Sequence, residues 1–192
     1  MNKNLLNTDK ILSLLIIILF GFFRPGLLLI AVYVLLFPYL ILTKRTIAIQ
    51  HLLLSSVVAI IWMGIANNQY NYQEKMFVFF GINSYPLFGW AVGLFVAYII
   101  YSHWEIKLKN PSQMKRLLFF SALYIPTLIL VETLFYHGFG IQNAATAIHV
   151  GLPICQCIHA PIWMQAAYIL MGPIYFALCL LLRLENPHKK HH

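Results

Sequence analysis

The feature that most constrains this chain is a succession of apolar stretches, each near bilayer-spanning length, separated by short charged, proline-bearing or polar breaks. A helix rises about 1.5 Å per residue, so roughly 20 apolar residues cover the hydrocarbon. Six stretches qualify, at about 5–23, 26–43, 47–66, 84–103, 117–137 and 162–182. The first closes at Arg24-Pro25-Gly26, the second at Lys44-Arg45 and the third at the polar run "NNQYNYQEK". Such punctuation marks helix ends. The expected fold class is an all-α integral membrane protein: one polytopic domain over 1–192, a bundle of about six transmembrane helices. A seventh, short or re-entrant segment at 77–84 or 140–160 stays open.

Charge agrees with this reading. Only 9% of residues are charged and 61% are hydrophobic, where soluble domains carry about 25% charged residues. The first apolar run leads straight into Arg24-Pro25-Gly26 and a second apolar run, so it reads as retained rather than as a signal peptide. A formal charge of +8 would suggest nucleic acid in a soluble protein, but here the excess falls in short loops and the tail. Placing the N-terminus in the cytoplasm puts eleven of the lysines and arginines on that side: Lys3, Lys10, Lys44, Arg45, Lys107, Lys109, Lys115, Arg116, Arg183, Lys189 and Lys190. Only Arg24 and Lys75 remain outside. Positive residues mark the cytoplasmic side, so the expectation is a multi-pass protein of the cell membrane with both termini cytoplasmic. The bilayer is its partner and nucleic acid is not; homo-oligomerisation stays open. His191 and His192 read as remnants of a purification tag and are set aside.

Two regions do not fit simple spans. The stretch before and into the fourth, 77–103, contains Gly81, Pro86 and Gly89, which suggests strong tilt, a proline kink or a short inserted segment. Residues 138–161 are semi-apolar and lack lysine, arginine and carboxylate. They are expected to form an interfacial helix or re-entrant cap over the outer face.

One acid stands inside an apolar run. Glu132, in "VETLFYHGFG", lies about five residues from the outer end of the fifth span, with His137 at that end. A carboxyl at such depth is costly when ionised and unpaired. Glu132 is therefore the candidate proton donor or acceptor, with His137 as relay partner. The alternative is a neutral glutamic acid hydrogen-bonded to a neighbouring helix.

Tyr70, Tyr72, Tyr85, Trp90 and Tyr136 are candidate substrate contacts, since aromatic faces beside an acid can hold a cation. Asn143 and His149 of the cap join them. The same tyrosines also suit a solvated loop with an aromatic belt. Cys155, Cys157 and His159 are weak metal candidates, because Cys-x-Cys-x-His is not a common zinc spacing. Three cysteines form no disulfide framework. The segment "SHWEIKLKNPSQMKR", 102–116, reads as a cytoplasmic loop with a tryptophan anchor.

The chain lacks Gly-x-Ser-x-Gly, His-Glu-x-x-His, a Gly-rich phosphate loop and any Asp-x-x-Asp; Asp9 is its only aspartate. That argues against metal-dependent prenyl and phosphoryl transfer. His51 and His137 fall at opposite depths, which argues against a haem held between them, and no cofactor is expected.

Residues 69–101, with Tyr70-x-Tyr72 before a bend and Pro86-Leu87-Phe88-Gly89-Trp90 opening a span, resemble small polytopic carotenoid-biosynthesis proteins, the membrane lycopene cyclases and related hydratase-type families. The stretch with Gly151, Pro153, Pro161 and Trp163 has a similar texture. The chain lacks the cyclases' Pro-x-Glu-Glu acid pair, and no family catalytic residue is carried over. The resemblance implies metal- and cofactor-free acid–base chemistry on a polyisoprenoid. Two other classes stay open beside a lipid-directed enzyme: a proton- or cation-coupled transporter or binding protein, and a structural subunit of a membrane complex.

Overall fold

The computed structural model describes residues 3–72, 77–109 and 111–188. Glu74 and Lys75 of the third-span loop, Lys189, Lys190, and the two set-aside histidines lie outside them. The chain is mostly helical: α1 (Lys3–Leu19), α2 (Pro25–Leu42), α3 (Ile47–Ala66), α4 (Ser84–Glu105), α5 (Gln113–Thr133) and α6 (Ile162–Leu181). A 3-10 turn, Asn67–Gln69, follows α3, and a single π turn, Leu134–Gly138, extends α5. Five helices are long and apolar enough to cross a membrane: α2, α3 with its 3-10 turn, α4, α5 with its π turn, and α6. At 17 residues α1 is the short one, and the chain breaks into turns at Phe20 rather than continuing to residue 23.

Local chemistry sets the boundaries. Pro25 opens α2 in the first turn, where no backbone N–H is needed. Asn83 caps α4 by accepting from the Tyr85 N–H at 3.0 Å, and Ser112 caps α5 through the Lys115 N–H at 3.3 Å. The stretch expected to tilt, kink or insert is instead a two-residue hairpin, β1 (Val78–Phe79) against β2 (Ile82–Asn83), followed by the unbroken α4. Phe80 and Gly81 both take positive φ at its turn, 48° and 78°. That matches the right-handed twist of the strands and is easy for the glycine. Pro86 lies in the first turn of α4, where it bends nothing.

Helix α4 is the centre of the bundle and packs on α2, α3, α5 and α6. Small residues bring it close to α3: Ala59 and Ala66 on one side, Ala91 and Ala97 on the other, all buried. Aromatic rings fill the remainder, with Tyr101, Phe120, Tyr175 and Phe176 fully buried between α4, α5 and α6.

One end of the bundle gathers most of the acids and bases. Arg45, just past α2, holds Asp9 of α1 through two bonds of 2.9 and 3.0 Å, and Tyr39 donates to the same carboxylate at 2.6 Å. Arg116 of α5 lies 2.6 Å from Glu105 at the end of α4, and Asn186 beyond α6 donates to Glu105 at 2.7 Å. These contacts join the start of α1 and α5 to the ends of α2, α4 and α6, so the helices run alternately up and down. Glu105 and Arg116 are therefore buried or half-buried partners rather than members of a solvated loop. A buried pair must be kept together once it forms, since removing one partner strands the other charge.

The opposite end carries the segment 138–161. Beyond the π turn it is an irregular loop, so of the two expected forms, interfacial helix or re-entrant cap, the helix is not formed. Pro153 and Pro161 deny it two ladder donors, and Gln156 and Ile158 sit at φ 47° and 52°, outside any right-handed helix. Side-chain bonds pin it instead. Asn143 donates to the Gln69 carbonyl at 2.6 Å and accepts from the Asn71 N–H at 2.8 Å, while residue 72 pairs with 143 across one bridge.

Candidate functional site

Glu132 lies in the last turn of α5, one residue before that helix gives way to its π turn, and is half-buried. Among the described residues it makes no hydrogen bond and no ion pair. It is near enough for its charge to act on the hydroxyls of Tyr70, Tyr72, Tyr85, Tyr124 and Tyr168. These hydroxyls come from the loop after α3, the start of α4, the middle of α5 and the first half of α6.

The tyrosines are ordered by a hydrogen-bond hub. The Tyr70 hydroxyl accepts from the indole N–H of Trp62 at 2.8 Å and from that of Trp90 at 3.1 Å. Both lone pairs of a phenol oxygen are then occupied. Its third contact, Tyr168 at 2.8 Å, must therefore receive the Tyr70 proton. The Tyr168 hydroxyl in turn has a hydrogen to give, and no acceptor among the described residues takes it. Tyr124 donates to the Tyr168 carbonyl at 2.7 Å and fixes that turn of α6. Burial pushes the Tyr70 hydroxyl up to about 12, and it pushes Tyr72, which stacks on Tyr70, well above the ordinary phenol value. Both stay protonated throughout the physiological range.

Tyr72 meets Tyr85 edge-on at 4.8 Å, and neither hydroxyl has a hydrogen-bond partner among the described residues. Trp62 packs on Trp90, Trp163 and Tyr168 with centroids about 6 Å apart. This end of the bundle thus holds a half-buried carboxyl, phenol hydroxyls without hydrogen-bond partners among the described residues, and a cluster of aromatic rings. A shallow recess of about 230 Å³, lined by Asn67, Tyr70, Asn71, Tyr72, Val78 and Asn83, opens beside the cluster. Glu132 is not in its wall, so that recess is a neighbour of the acid and not its own chamber.

The other expected site residues are placed elsewhere. The His137 ring is exposed and points to the cap, with Nε2 3.0 Å from the Cys155 carbonyl, and no direct hydrogen bond links it to Glu132. Tyr136 stacks on His159 at 4.7 Å, against the cap. Asn143 is consumed in pinning the loop, and His149 offers its backbone carbonyl to His159 Nδ1 at 2.8 Å. Cys155 and Cys157 are joined as a disulfide. The single bridge between near neighbours, which the sequence reading did not foresee, removes the two thiolates a metal would need at Cys155, Cys157 and His159. No cluster of three metal-ligating side chains occurs among the described residues. Cys179 is free and buried against His51.

Tyr168 and Tyr124 escaped the sequence reading. With 15% aromatics in the chain, no local pattern separates these two tyrosines from ring-filled core. Comparison with protein-family models, with characterised proteins and with solved structures finds no match to this chain.

Proposed function

We propose that this is a multi-pass protein of the cell membrane, with both termini cytoplasmic, that acts on an isoprenoid or another lipid by acid–base chemistry at Glu132. Two features support the orientation. The lysine- and arginine-rich loops meet at one end of the bundle, as cytoplasmic loops do. The opposite end carries the Cys155–Cys157 disulfide, which persists in oxidising compartments.

The observation that carries the activity is the Glu132 carboxyl, without a partner among the described residues and within electrostatic reach of several tyrosine hydroxyls. In this reading Glu132 passes a proton to or from the lipid. The rings of Trp62, Trp90 and Tyr85 face any positive charge that develops. Tyr72, Tyr85 and Tyr168 supply hydroxyls that orient a polar group or a water. The isoprenoid class rests on the resemblance at 69–101 alone. The test is Glu132→Gln, with lipid mass spectrometry of membranes containing the parent or the variant. Loss of the protonating group should lower conversion by about 10²- to 10⁴-fold, with the precursor lipid accumulating.

The same rings and carboxyl also favour a second reading, the binding or transport of a cation. Unchanged lipids with abolished uptake in Glu132→Gln would select it. If both Glu132→Gln and His137→Ala left lipids and uptake untouched, a structural subunit would be the remaining reading.

A further inference from the structure

We propose that Cys155–Cys157 is a thiol–disulfide exchange site on the cap, able to oxidise a dithiol, with Cys155 the attacked sulfur and Cys157 the leaving group. It stands apart from the Glu132 chemistry and does not depend on it.

The bridge contributes little as a staple. Its cysteines are two residues apart, and a loop so short removes little entropy from the unfolded chain. The backbone around it is held at a cost. Gln156 and Ile158 both occupy the left-handed region, where a β-branched residue is an outlier. A rigid frame maintains this. The Leu152 N–H donates to the Cys157 carbonyl at 2.8 Å and the Gln156 N–H to the Leu152 carbonyl at 2.8 Å, while the Gln165 amide donates to the carbonyls of Val150, Ile158 and Ala160.

The two sulfurs are not equivalent. Cys157 is fully buried, whereas Cys155 is half-buried. Exchange needs a thiolate to reach one sulfur in line with the bond it breaks, and Cys155 is the one within reach. The Cys157 N–H lies 3.3 Å from Cys155 Sγ and donates to it. That donor assists the second step, in which Cys155 is expelled as a thiolate.

The step balances as follows. A substrate thiolate attacks Cys155 Sγ; the new S–S bond forms as Cys155–Cys157 breaks, and the electron pair leaves on Cys157 Sγ. The second substrate thiolate attacks its own sulfur in the mixed disulfide and expels Cys155 as a thiolate. Two electrons and two protons pass from the dithiol to the protein, and the substrate leaves as a disulfide.

The full chain in detergent is mixed anaerobically with a reduced dicysteine peptide. One peptide disulfide should form per chain, and the maleimide-reactive thiols of the unfolded product should rise from one, Cys179, to three. A peptide that stays reduced overturns the proposal. The order of sulfurs is read from single variants with glutathione disulfide. Cys157→Ser, with Cys155 free, should take up glutathione roughly ten-fold or more faster than Cys155→Ser, whose remaining sulfur is buried. Equal rates overturn the assignment. Should either variant lose its helical circular dichroism, the experiment on the parent chain decides alone.

Discussion

The hub at Tyr70 makes the sharpest stability prediction. Tyr70→Phe keeps the ring and its packing but deletes one oxygen that serves three partners. The indole N–H groups of Trp62 and Trp90 lose their acceptor inside a region where all three side chains are at most 9% exposed. Each buried donor left unsatisfied costs about 1–3 kcal/mol, so the two together cost about 2–6 kcal/mol. Tyr168 loses only an incoming donor and can turn its hydroxyl elsewhere. The companion variant Tyr168→Phe strands just the Tyr70 proton and should cost about 1–3 kcal/mol. The ordering is thus more diagnostic than either value. Denaturant or thermal unfolding in detergent micelles measures it, followed by tryptophan emission, which also reports the indoles. Tyr70→Phe should be the less stable variant and the one with altered native emission. If it costs no more than Tyr168→Phe, the proton order deduced for the hub is wrong.

Two further expectations rest on single contacts. A Cβ at Gly172 would overlap the buried ring of Tyr124, so Gly172→Ala should lower the melting point by the equivalent of about 1–3 kcal/mol. Adding Tyr124→Leu should recover part of the loss, and an unchanged melting point for the single variant would refute the close α5–α6 approach. Burial, with the stacked His103 ring 3.9 Å away, holds His188 down at about 4, below its ordinary 6.5. The folded chain then binds fewer protons than the unfolded one between those values. Stability should be intact above about pH 6.5 and fall as the pH drops towards 4. His188→Gln should flatten that slope in melting curves taken across the range, and identical slopes would refute it.

What was legible in the sequence follows from which physics is local. Several span ends are written in composition: Pro25 and the polar run after Ala66 act within a few residues of where they stand, whereas the Ser112 cap that starts α5 four residues before the expected 117 was not read. The hairpin at 78–83 was hidden because Pro86 and Gly81 signal a disturbance without saying which kind, and two paired residues per strand leave no periodicity to read. The cap misled for a similar reason. Its apolar content suits an interfacial helix, whereas its shape is set by hydrogen bonds between distant positions, such as Asn143 to Gln69 across 74 residues. Glu132 was visible because an acid in an apolar run is rare. Its surroundings were not, since Tyr70, Tyr124 and Tyr168 come from distant elements and only folding brings them to one carboxyl.

The two ends of the bundle differ in a way that bears on function. Where α1, α2, α4 and α5 meet, Asp9 and Glu105 are each matched by an arginine and at least one further donor. A carboxyl kept there for packing alone is held like that, because leaving it unpaired in apolar surroundings costs several kcal/mol. Glu132, at the other end, is half-buried and has no such partner among the described residues. A structural role would show a hydrogen bond to a neighbouring helix, and none is made among the described residues. A carboxyl left unengaged is open to a proton or a ligand. That asymmetry, more than the acid's depth, is the reason to mutate Glu132 before any other residue in the chain.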